Sequence, residues 1–369
     1  MTKKLYKINE LVELLGITSR TIRYYDQFGL LVHVKRSKGG MRLFDEEDIE
    51  IIKKIRRMQK EEFLPLEVIK EKLFGKKELN QNSKRIVLTD STVTLSEDVK
   101  KAYNIEVIPL KIKIEDKVYL ESELNIQTFL EKTKNFSLPI ITMPPTEEEF
   151  INKYLELASK GYTEIYSVHL TSKASNTYIN AFQAANKVAD RVFVYPVDSG
   201  TGGPGLRAFV QDIAEAIIKN QSKEEIELLI TKNIPLIKVF FMSNSIKHLF
   251  ANLNFTILNT TQKILMQKMF AFKPVMEVKD GSGEFEIIAW CKEKADALKI
   301  VLEVLEKEID ERIGYSRKIF IDYNYMYGEA LDLINYIKNR YPNAEIALQE
   351  GSPVLSTYLG PQTIAISIN

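Results

Sequence analysis

Strand-like and helix-like segments alternate through residues 85–369, and this alternation is the strongest constraint on the fold. The strand-like segments are short runs of apolar, β-branched or aromatic residues, namely Ile86–Leu88, Val107–Leu110, Ile165–Leu170, Val192–Val197, Val239–Met242, Lys273–Val278, Phe285–Trp290, Lys318–Tyr323, Ile346–Leu348 and Thr363–Ile368. Helical patterns separate many of them, including Glu147–Ser159, Asn176–Ala189, Leu206–Asn220, Glu224–Lys232, Glu293–Arg312 and Glu329–Arg340. This order predicts an α/β body. A body of this length is expected to form two lobes, with a cleft as the ligand site.

Two short helices joined by a tight turn precede this body. The apolar spacing over Leu5–Leu15 predicts a helix that ends at Gly16, and Thr18 is placed to cap a second helix over Ser19–Gln27. This pattern is typical of a helix-turn-helix. The second helix carries side chains suited to base edges and phosphates in a DNA major groove: Ser19, Arg20, Thr21, Arg23 and Tyr24.

A hairpin and two further helices complete the N-terminal pattern. Two strand-like runs, Leu30–Lys35 and Met41–Phe44, flank a turn that contains paired glycines, and basic residues surround its tip: Lys35, Arg36, Lys38 and Arg42. Asp45 and Asp48 form a capping-box pattern that predicts a third helix over Glu46–Glu61. Pro65 is expected to open a fourth helix, Leu66–Leu73.

The formal charge separates these two parts of the chain. Residues 1–77 contain 18 Lys and Arg against 12 Asp and Glu, a net of +6, whereas residues 78–369 contain 33 against 38, a net of −5. A basic module joined to a mildly acidic body predicts a polyanionic partner for the module alone.

The N-terminal segment closely resembles the DNA-binding domain of the MerR family of winged helix-turn-helix regulators. The motifs are TIRYYDQFGLL at 21–31, Arg36, and GGMRLF at 39–44. The resemblance implies double-stranded DNA as partner, with Arg20, Thr21, Arg23 and Tyr24 in the groove. It also places Arg36, Lys38 and Arg42 of the wing on phosphates. Tyr25 is expected in the module's core.

The segment after this module departs from the MerR pattern. Such regulators continue into a long helix that pairs two subunits, but here Gly75 ends the fourth helix and a polar linker follows. We therefore divide the chain into a DNA-binding domain over 1–75, a linker over 76–84 and the α/β body over 85–369. Either the body supplies a homodimer, or DNA binding is weak, since a single module makes few base contacts.

Hydroxyl groups gather where several predicted strands of the body end. Thr89–Thr92, Thr171-Ser172, Ser175–Thr177 and Asp198–Gly203 follow strands or begin helices, and Thr142 precedes a Pro pair. Ligands of open α/β sheets bind at the carboxyl ends of the strands. Hydroxyls and helix N-termini donate hydrogen bonds to anions, so the sequence predicts an anion-binding cleft.

The sequence contains few residue patterns that are typical of catalysis. The three histidines, His33, His169 and His248, lack metal-ligand spacing, and no nucleophile elbow or Walker loop occurs. We therefore expect no enzyme activity, no metal and no cofactor. The single Cys291 excludes an intramolecular disulfide, and no apolar run reaches the roughly 20 residues of a membrane span. These features predict a cytoplasmic protein.

Seven motifs follow one another through the body: TDSTVTL at 89–95, VIPLKI at 107–112, ITMPPTEEEF at 141–150, TSKASNTYINAFQAA at 171–185, VDSGTGG at 197–203, FKPVMEVKDG at 272–281 and GP at 360–361. In their sequence and order, the body resembles the DegV family of two-lobed fatty-acid-binding proteins. The resemblance implies a long-chain fatty acid as ligand, its carboxylate held by hydroxyls. By position, Thr142 and Ser175 match the family's carboxylate-binding residues, Asn176 replaces a usual glycine and Tyr358 replaces a histidine.

The predicted fold is thus a small α-helical winged helix-turn-helix domain followed by a two-lobed α/β DegV-like domain. The leading hypothesis for its function is a DNA-binding transcriptional regulator that senses a fatty acid. An alternative is a carrier that presents acyl chains to a partner kinase. Relatives with that role carry Gly-Gly-Arg where this chain has Asn252-Leu253-Asn254, which weakens the kinase hypothesis. A third hypothesis is an enzyme that uses the hydroxyl-rich cleft.

Overall fold

The computed structural model describes residues 4–27, 30–31, 34–37, 41–61, 69, 73, 84–133, 137–244, 248, 272–278, 281–311 and 318–368. The chain divides into two units, Met1–Ser83 and Lys84–Asn369, and each has its own hydrophobic core. Several predicted features lie outside the described residues, among them Lys38, Pro65, the break at Gly75 and the Asn252–Asn254 segment.

The first unit contains the predicted helix-turn-helix. Helix α1 (Ile8–Leu15) ends at Gly16, whose left-handed backbone (φ 60°, ψ 36°) suits glycine. Thr18 precedes α2 (Ser19–Gln27), and its Oγ1 accepts a hydrogen bond from the Thr21 N–H at 3.1 Å. The glycine stop and the threonine cap are therefore confirmed.

A small antiparallel sheet accompanies these helices, in the order β1-β3-β2. Its strands are β1 (Tyr6–Lys7), β2 (Lys35–Arg36) and β3 (Arg42–Phe44). The predicted hairpin is present with shorter strands, but the expected start of α1 at Leu5 is wrong. Tyr6 and Lys7 are extended and pair instead with Phe44 and Leu43. The helix begins after them, where the Lys7 N–H donates to the Glu10 carboxylate at 2.6 Å.

Helix α3 (Glu46–Glu61) begins at the predicted capping box. The Asp48 N–H donates to Asp45 Oδ1 at 3.2 Å, and the Asp45 N–H donates to Asp48 Oδ2 at 3.0 Å. Of the predicted fourth helix, Ile69 and Leu73 are described; both are helical, and Ile69 is buried with the core of this unit.

The second unit has strands from all ten predicted runs and three more, β6 to β8. The strands are β4 (Arg85–Asp90), β5 (Ile105–Ile108), β6 (Lys111–Ile114), β7 (Lys117–Leu120), β8 (Ile140–Met143), β9 (Glu164–His169), β10 (Phe193–Asp198), β11 (Lys238–Ser243), β12 (Lys273–Val278), β13 (Phe285–Cys291), β14 (Lys318–Asn324), β15 (Glu345–Glu350) and β16 (Thr363–Ile368). The helices are α4 (Glu97–Tyr103), α5 (Ile126–Lys132), α6 (Glu147–Ser159), α7 (Thr177–Lys187), α8 (Pro204–Ile218), α9 (Lys223–Asn233), α10 (Lys294–Glu311), α11 (Tyr327–Arg340) and α12 (Pro353–Leu359), with 3-10 turns at Glu121–Glu123 and Ile234–Leu236.

These strands form three sheets. A four-stranded parallel sheet has the order β10-β9-β4-β5, and a six-stranded mixed sheet has the order β13-β12-β11-β16-β14-β15. A small antiparallel sheet, β7-β6-β8, stands beside them. The parallel strands are covered by helices, and almost every residue of β4 and β9 is buried, as expected for strands covered on both faces. The predicted α/β class is confirmed.

Close approach of two glycine turns joins the parallel and mixed sheets. Gly200 follows β10 and Gly281 lies in the turn between β12 and β13, with φ of 64° and 66°. A Cβ atom added at Gly200 would overlap the carbonyl oxygen of Gly281. Glycine is therefore needed at position 200 both for its backbone conformation and for the space it leaves.

We predict that Gly200→Ala destabilises the protein by about 2–5 kcal/mol, since backbone strain adds to overpacking. Gly161→Ala is the matched control. Gly161 also has a positive φ of 87°, but an added Cβ would meet nothing within 4 Å. It should cost only about 1–2 kcal/mol of strain. Chemical denaturation of both variants measures the free energy of unfolding. Equal losses of stability would show that the close approach of Gly200 and Gly281 does not limit the residue at position 200.

Candidate functional site

A cavity of about 330 Å³ lies where segments from all three sheets meet. It is lined by Leu110, Thr142, Pro144, Leu170, Thr171, Ser172, Lys173, Ala174, Ser175, Asn176, Thr201, Gly202, Phe241, Phe285, Val354, Leu355, Tyr358 and Leu359. Apolar side chains from β11, β13 and α12 form one part of the wall, and hydroxyl-bearing loops after β9 and β10 form another. Such a cavity suits a ligand with an apolar body and a polar end.

The structure brings together all four residues predicted to bind the ligand: Thr142, Ser175, Asn176 and Tyr358 line this one cavity. Thr142 lies in β8 and Tyr358 in α12, and their hydroxyls are joined by a short hydrogen bond. Either hydroxyl can be the donor, so the pair retains one proton that can be directed at a ligand oxygen.

Ser175 begins the turn that leads into α7. Its Oγ accepts a hydrogen bond from the Thr177 N–H at 3.2 Å and lies 2.8 Å from Thr177 Oγ1. When Thr177 donates, the proton of Ser175 is free for a ligand. Asn176 occupies the N-cap position, but its side chain makes no capping hydrogen bond. Both residues therefore present polar atoms at a helix N-terminus, which favours an anion.

The hydroxyl groups that follow β4 do not form part of the cavity, contrary to the expectation. Thr92 Oγ1 donates to Asp90 Oδ1 at 2.5 Å, and Ser91 bonds to the buried Glu121. These hydroxyls are used inside the protein and do not line the cavity, whereas Thr171, Ser172 and Thr201 do. The pattern of hydroxyls after strands could not separate these two uses, because both place Ser and Thr in tight turns.

A buried polar chain supports the loop that carries Ser175. Asp90 Oδ2 accepts from the Leu170 N–H at 2.9 Å and lies 3.1 Å from His169 Nδ1. His169 Nε2 lies 2.7 Å from Ser167 Oγ, which lies 2.8 Å from the Tyr154 hydroxyl. The order Asp-His-Ser resembles a catalytic triad, but Ser167 and His169 are fully buried. Its geometry holds the end of β9 and offers no exposed nucleophile.

The glycines after β10 serve packing. A Cβ at Gly205 would overlap side-chain atoms of Val239 and Thr201, and one at Gly203 would lie 2.9 Å from Leu355. Gly205 thus lets the first turn of α8 pass close to β11. Packing therefore accounts for Gly203 and Gly205.

The candidate nucleic-acid surface lies on α2 and the hairpin. Arg23 is exposed, while Ser19 and Thr21 are half-buried, and the Thr21 hydroxyl lies 2.9 Å from Thr18 Oγ1. Arg42 Nε donates to Asp26 Oδ2 at 2.5 Å, so this ion pair joins β3 to α2.

Other predicted residues of this surface are placed by their backbone. Arg20 and Tyr24 belong to α2 and Arg36 belongs to β2, while Lys38 lies outside the described residues. Tyr25 is 4% exposed and belongs to the core, as expected.

The fold and the cavity define a two-lobed α/β protein joined to a winged helix-turn-helix module. The chain belongs to the DegV family of uncharacterised proteins, whose model matches residues 84–369. A second model, that of MerR helix-turn-helix regulatory proteins, matches residues 6–75. Both resemblances are confirmed, and the chain is a fusion of the two.

Known proteins similar to this chain match its second unit. A DegV domain-containing protein of Listeria innocua is 26% identical over 287 residues, covering 78% of this chain and 98% of its own. The crystal structure of DegV from Bacillus subtilis, described as a fatty acid binding protein, has a TM-score of 0.69 at 23% identity, covering 78% and 99% of the two chains. A stearic acid-binding protein from Eubacterium ventriosum has a TM-score of 0.67 at 16% identity, covering 76% and 97%.

Two other kinds of feature are absent from the described residues. In the part of the chain that the structure describes, no helix has the length and apolar character to cross a membrane. The same residues contain no group of three or more His, Cys, Asp or Glu side chains placed to hold a metal ion.

Proposed function

We propose that this protein is a DNA-binding transcriptional regulator whose DegV unit binds a long-chain fatty acid. The observation that carries the proposal is the cavity, in which four hydroxyl and amide side chains converge beside an apolar wall. Its volume of about 330 Å³ falls in the range of small-molecule sites, about 300–1,000 Å³. The similar solved structures described as binding fatty acid or stearic acid support the choice of ligand.

The polar end of the cavity suits a carboxylate. Thr142, Ser175 and Tyr358 supply neutral hydroxyl donors, which hold an anion without the cost of burying a fixed cation. Lys173 also lines the cavity, but its side chain is 59% exposed and lies 3.9 Å from Glu284. The positive charge of Lys173 is thus partly neutralised by Glu284, and recognition of the carboxylate depends on the hydroxyl groups.

We predict that Ser175→Ala weakens fatty-acid binding about 10- to 150-fold, because it removes one donor to a charged group. Ser96→Ala is the matched control. Ser96 caps α4 through the Val99 N–H at 3.3 Å and does not line the cavity, so its loss costs a helix cap alone. Fluorescence titration with cis-parinaric acid, a C18 fatty acid, compares them. Wild-type affinity in Ser175→Ala would mean that Ser175 is only a cap.

The first unit supports the DNA-binding half of the proposal. Residues 1–77 carry a net charge of +6, and exposed Arg23 and Lys35 lie on the second helix and on the hairpin. An Arg on the second helix of a helix-turn-helix faces base edges, whereas basic residues of a wing contact phosphates.

Arg23→Ala should therefore weaken binding to a selected DNA sequence by about 1–3 kcal/mol and relax its specificity. Lys35→Ala should weaken binding to all duplexes alike and reduce the salt dependence. Lys299→Ala, which removes an exposed lysine of α10, controls for the loss of one positive charge. Duplexes selected by the full-length protein from a random library provide the target. Failure of the wild-type protein to select any sequence would argue against the regulator.

Ligand and DNA must influence each other if the protein is a sensor. Such coupling is reciprocal and typically about 1–3 kcal/mol, so loading with fatty acid should change DNA affinity about 5- to 150-fold. We propose that pairing of two DegV units, which would bring two modules to two half-sites, is the route. DNA affinity is measured on delipidated and reloaded protein, with subunit number by native mass spectrometry. Equal affinities and an unchanged subunit number would favour the fatty-acid carrier instead.

A further inference from the structure

Asp198 is the last residue of β10, and its carboxylate bonds to two neighbouring loops. Its Oδ1 accepts a hydrogen bond from the Gly200 N–H at 3.1 Å, within its own turn. The same oxygen accepts from the Ser172 N–H at 3.2 Å, and Oδ2 accepts from that N–H at 3.3 Å. Ser172 belongs to the loop after β9, the strand that pairs with β10. One carboxylate thus joins the loops that follow two adjacent parallel strands.

The loop after β9 carries Ser175 and is tightly folded on itself; we call its residues 171–175 the head-group loop. The Ala174 and Ser175 N–H groups both donate to the Thr171 carbonyl, at 3.1 and 3.3 Å. The Lys173 N–H donates to Thr171 Oγ1 at 3.3 Å. These hydrogen bonds make the loop one compact turn, so the direction of the Ser175 side chain depends on how the start of the loop is held.

Two hydrogen bonds and one close approach hold the start of the head-group loop. The Thr171 N–H donates to the Thr201 carbonyl at 2.8 Å, and the Ser172 N–H donates to the Asp198 carboxylate. A Cβ atom added at Gly283 would overlap Thr171 Oγ1, so the turn between β12 and β13 lies directly against the loop. Of these contacts, the hydrogen bond to Asp198 is the one whose acceptor is a side chain. A substitution can therefore remove it and leave the backbone contacts in place.

Asp198 differs from Asp90, which also contacts this region. Asp90 is fully buried, and it accepts from the N–H of Leu170, the residue before the head-group loop. Removal of Asp90 would leave buried donors without an acceptor and would disturb the core. Asp198 is half-buried, and it bonds to the loop itself. Its loss is therefore expected to act on the loop more than on the core.

We propose that Asp198 is a positioning residue of the ligand site: by holding the Ser172 N–H it fixes the head-group loop and directs the Ser175 hydroxyl into the cavity. The inference rests on the proposed fatty-acid binding. It assigns a role to a residue that does not itself line the cavity. A carboxylate suits this role, because hydrogen bonds from N–H groups to a charged acceptor are about twice as strong as those to a neutral one.

Loss of the Asp198 carboxylate should weaken ligand binding through Ser175. Asp198→Ala removes the acceptor, so affinity should fall by as much as in Ser175→Ala, about 10- to 150-fold, because the same ligand contact is lost. Asp198→Asn retains a carbonyl oxygen in the place of Oδ1, which accepts from both the Ser172 and the Gly200 N–H groups. This variant should bind within about 5-fold of wild type, since only the charge of the acceptor is lost.

The test is a double-mutant cycle on the full-length protein, with cis-parinaric acid as the probe. Dissociation constants are measured for wild type, Asp198→Ala, Ser175→Ala and the double variant. If Asp198 acts through Ser175, adding Asp198→Ala to Ser175→Ala should change the affinity by less than about 2-fold. A merely structural role would weaken binding whichever residue occupies position 175, so the two losses would then multiply.

Two controls accompany the cycle. Asp190→Ala removes an exposed carboxylate between α7 and β10, and it should keep wild-type affinity, which controls for the loss of one negative charge. Phe241→Leu changes the apolar wall of the cavity. Its loss of affinity should multiply with that of Asp198→Ala, which would show that the coupling is specific to Ser175.

A further variant covers the case in which Asp198→Ala does not fold. In Asp198→Ser the hydroxyl can still accept from the N–H two residues later, as Ser199 Oγ accepts from the Thr201 N–H at 3.3 Å. The serine side chain is one bond shorter than that of Asp198, which draws its oxygen away from the Ser172 N–H. Asp198→Ser therefore keeps the local turn, loses the bond to the head-group loop and takes the place of Asp198→Ala in the cycle.

Each result decides the inference. Losses that multiply between positions 198 and 175, or equal affinities of Asp198→Asn and Asp198→Ala, overturn the role of Asp198 and leave fatty-acid binding intact. A double variant that binds as Ser175→Ala does, with affinity restored in Asp198→Asn, supports it. Absence of cis-parinaric acid binding by the wild-type protein overturns the proposed function and this inference together.

Discussion

The candidate site depends on the contacts that hold helix α12 in place. This helix is only seven residues long, and its partners lie in other segments of the chain. Its first turn bonds to Glu121, and Tyr358 bonds to Thr142 of β8. A helix this short has little stability alone, so its position is decided by these partners. Val354 also packs in a buried cluster that contains Ile112 of β6, in the small antiparallel sheet, and Phe129 of α5. The cavity wall is therefore only as well ordered as the contacts between α12 and this sheet.

Much of the architecture could be predicted because local signals and tertiary packing agree. Thr18 and the Asp45–Asp48 pair cap helices that their sequence neighbourhoods also favour, and most of the ten apolar strand-like runs form strands that are buried. Convergence of Thr142 and Tyr358 has a different origin. They are 216 residues apart, and no periodicity connects them; only their positions in the DegV motifs indicated a shared site.

The features that were missed depend on contacts with other segments. Strands β6 and β7, with sequences KIKI and KVYL, are too short for their alternation to be distinguished from other patterns. Their structure is decided by pairing, since β6 pairs with β7 on one side and with β8 on the other. Glu121 belongs to the polar sequence YLESELN, which is typical of an exposed turn. Its burial follows from donors supplied by residues near positions 91 and 352. The Arg42–Asp26 ion pair likewise depends on the hairpin reaching α2.

The hydrogen bonds around Glu121 also offer a physical route between the cavity and the start of the DegV unit. Ser356 Oγ donates to the Ser352 carbonyl at 2.9 Å and accepts from the Asn324 side chain at 2.6 Å, so the chain of contacts from Ser91 through Glu121 reaches β14. Ser91 follows β4, the first strand after the segment that joins the two units. Coupling needs an element with two arrangements whose balance both sites change. If a ligand displaces the Tyr358 hydroxyl from Thr142, α12 loses one of its attachments, and its hydrogen bonds to Glu121 must hold it more tightly or give way. Signalling toward the helix-turn-helix unit would then begin with a change in a hydrogen bond, and it would require no large movement of the parallel sheet.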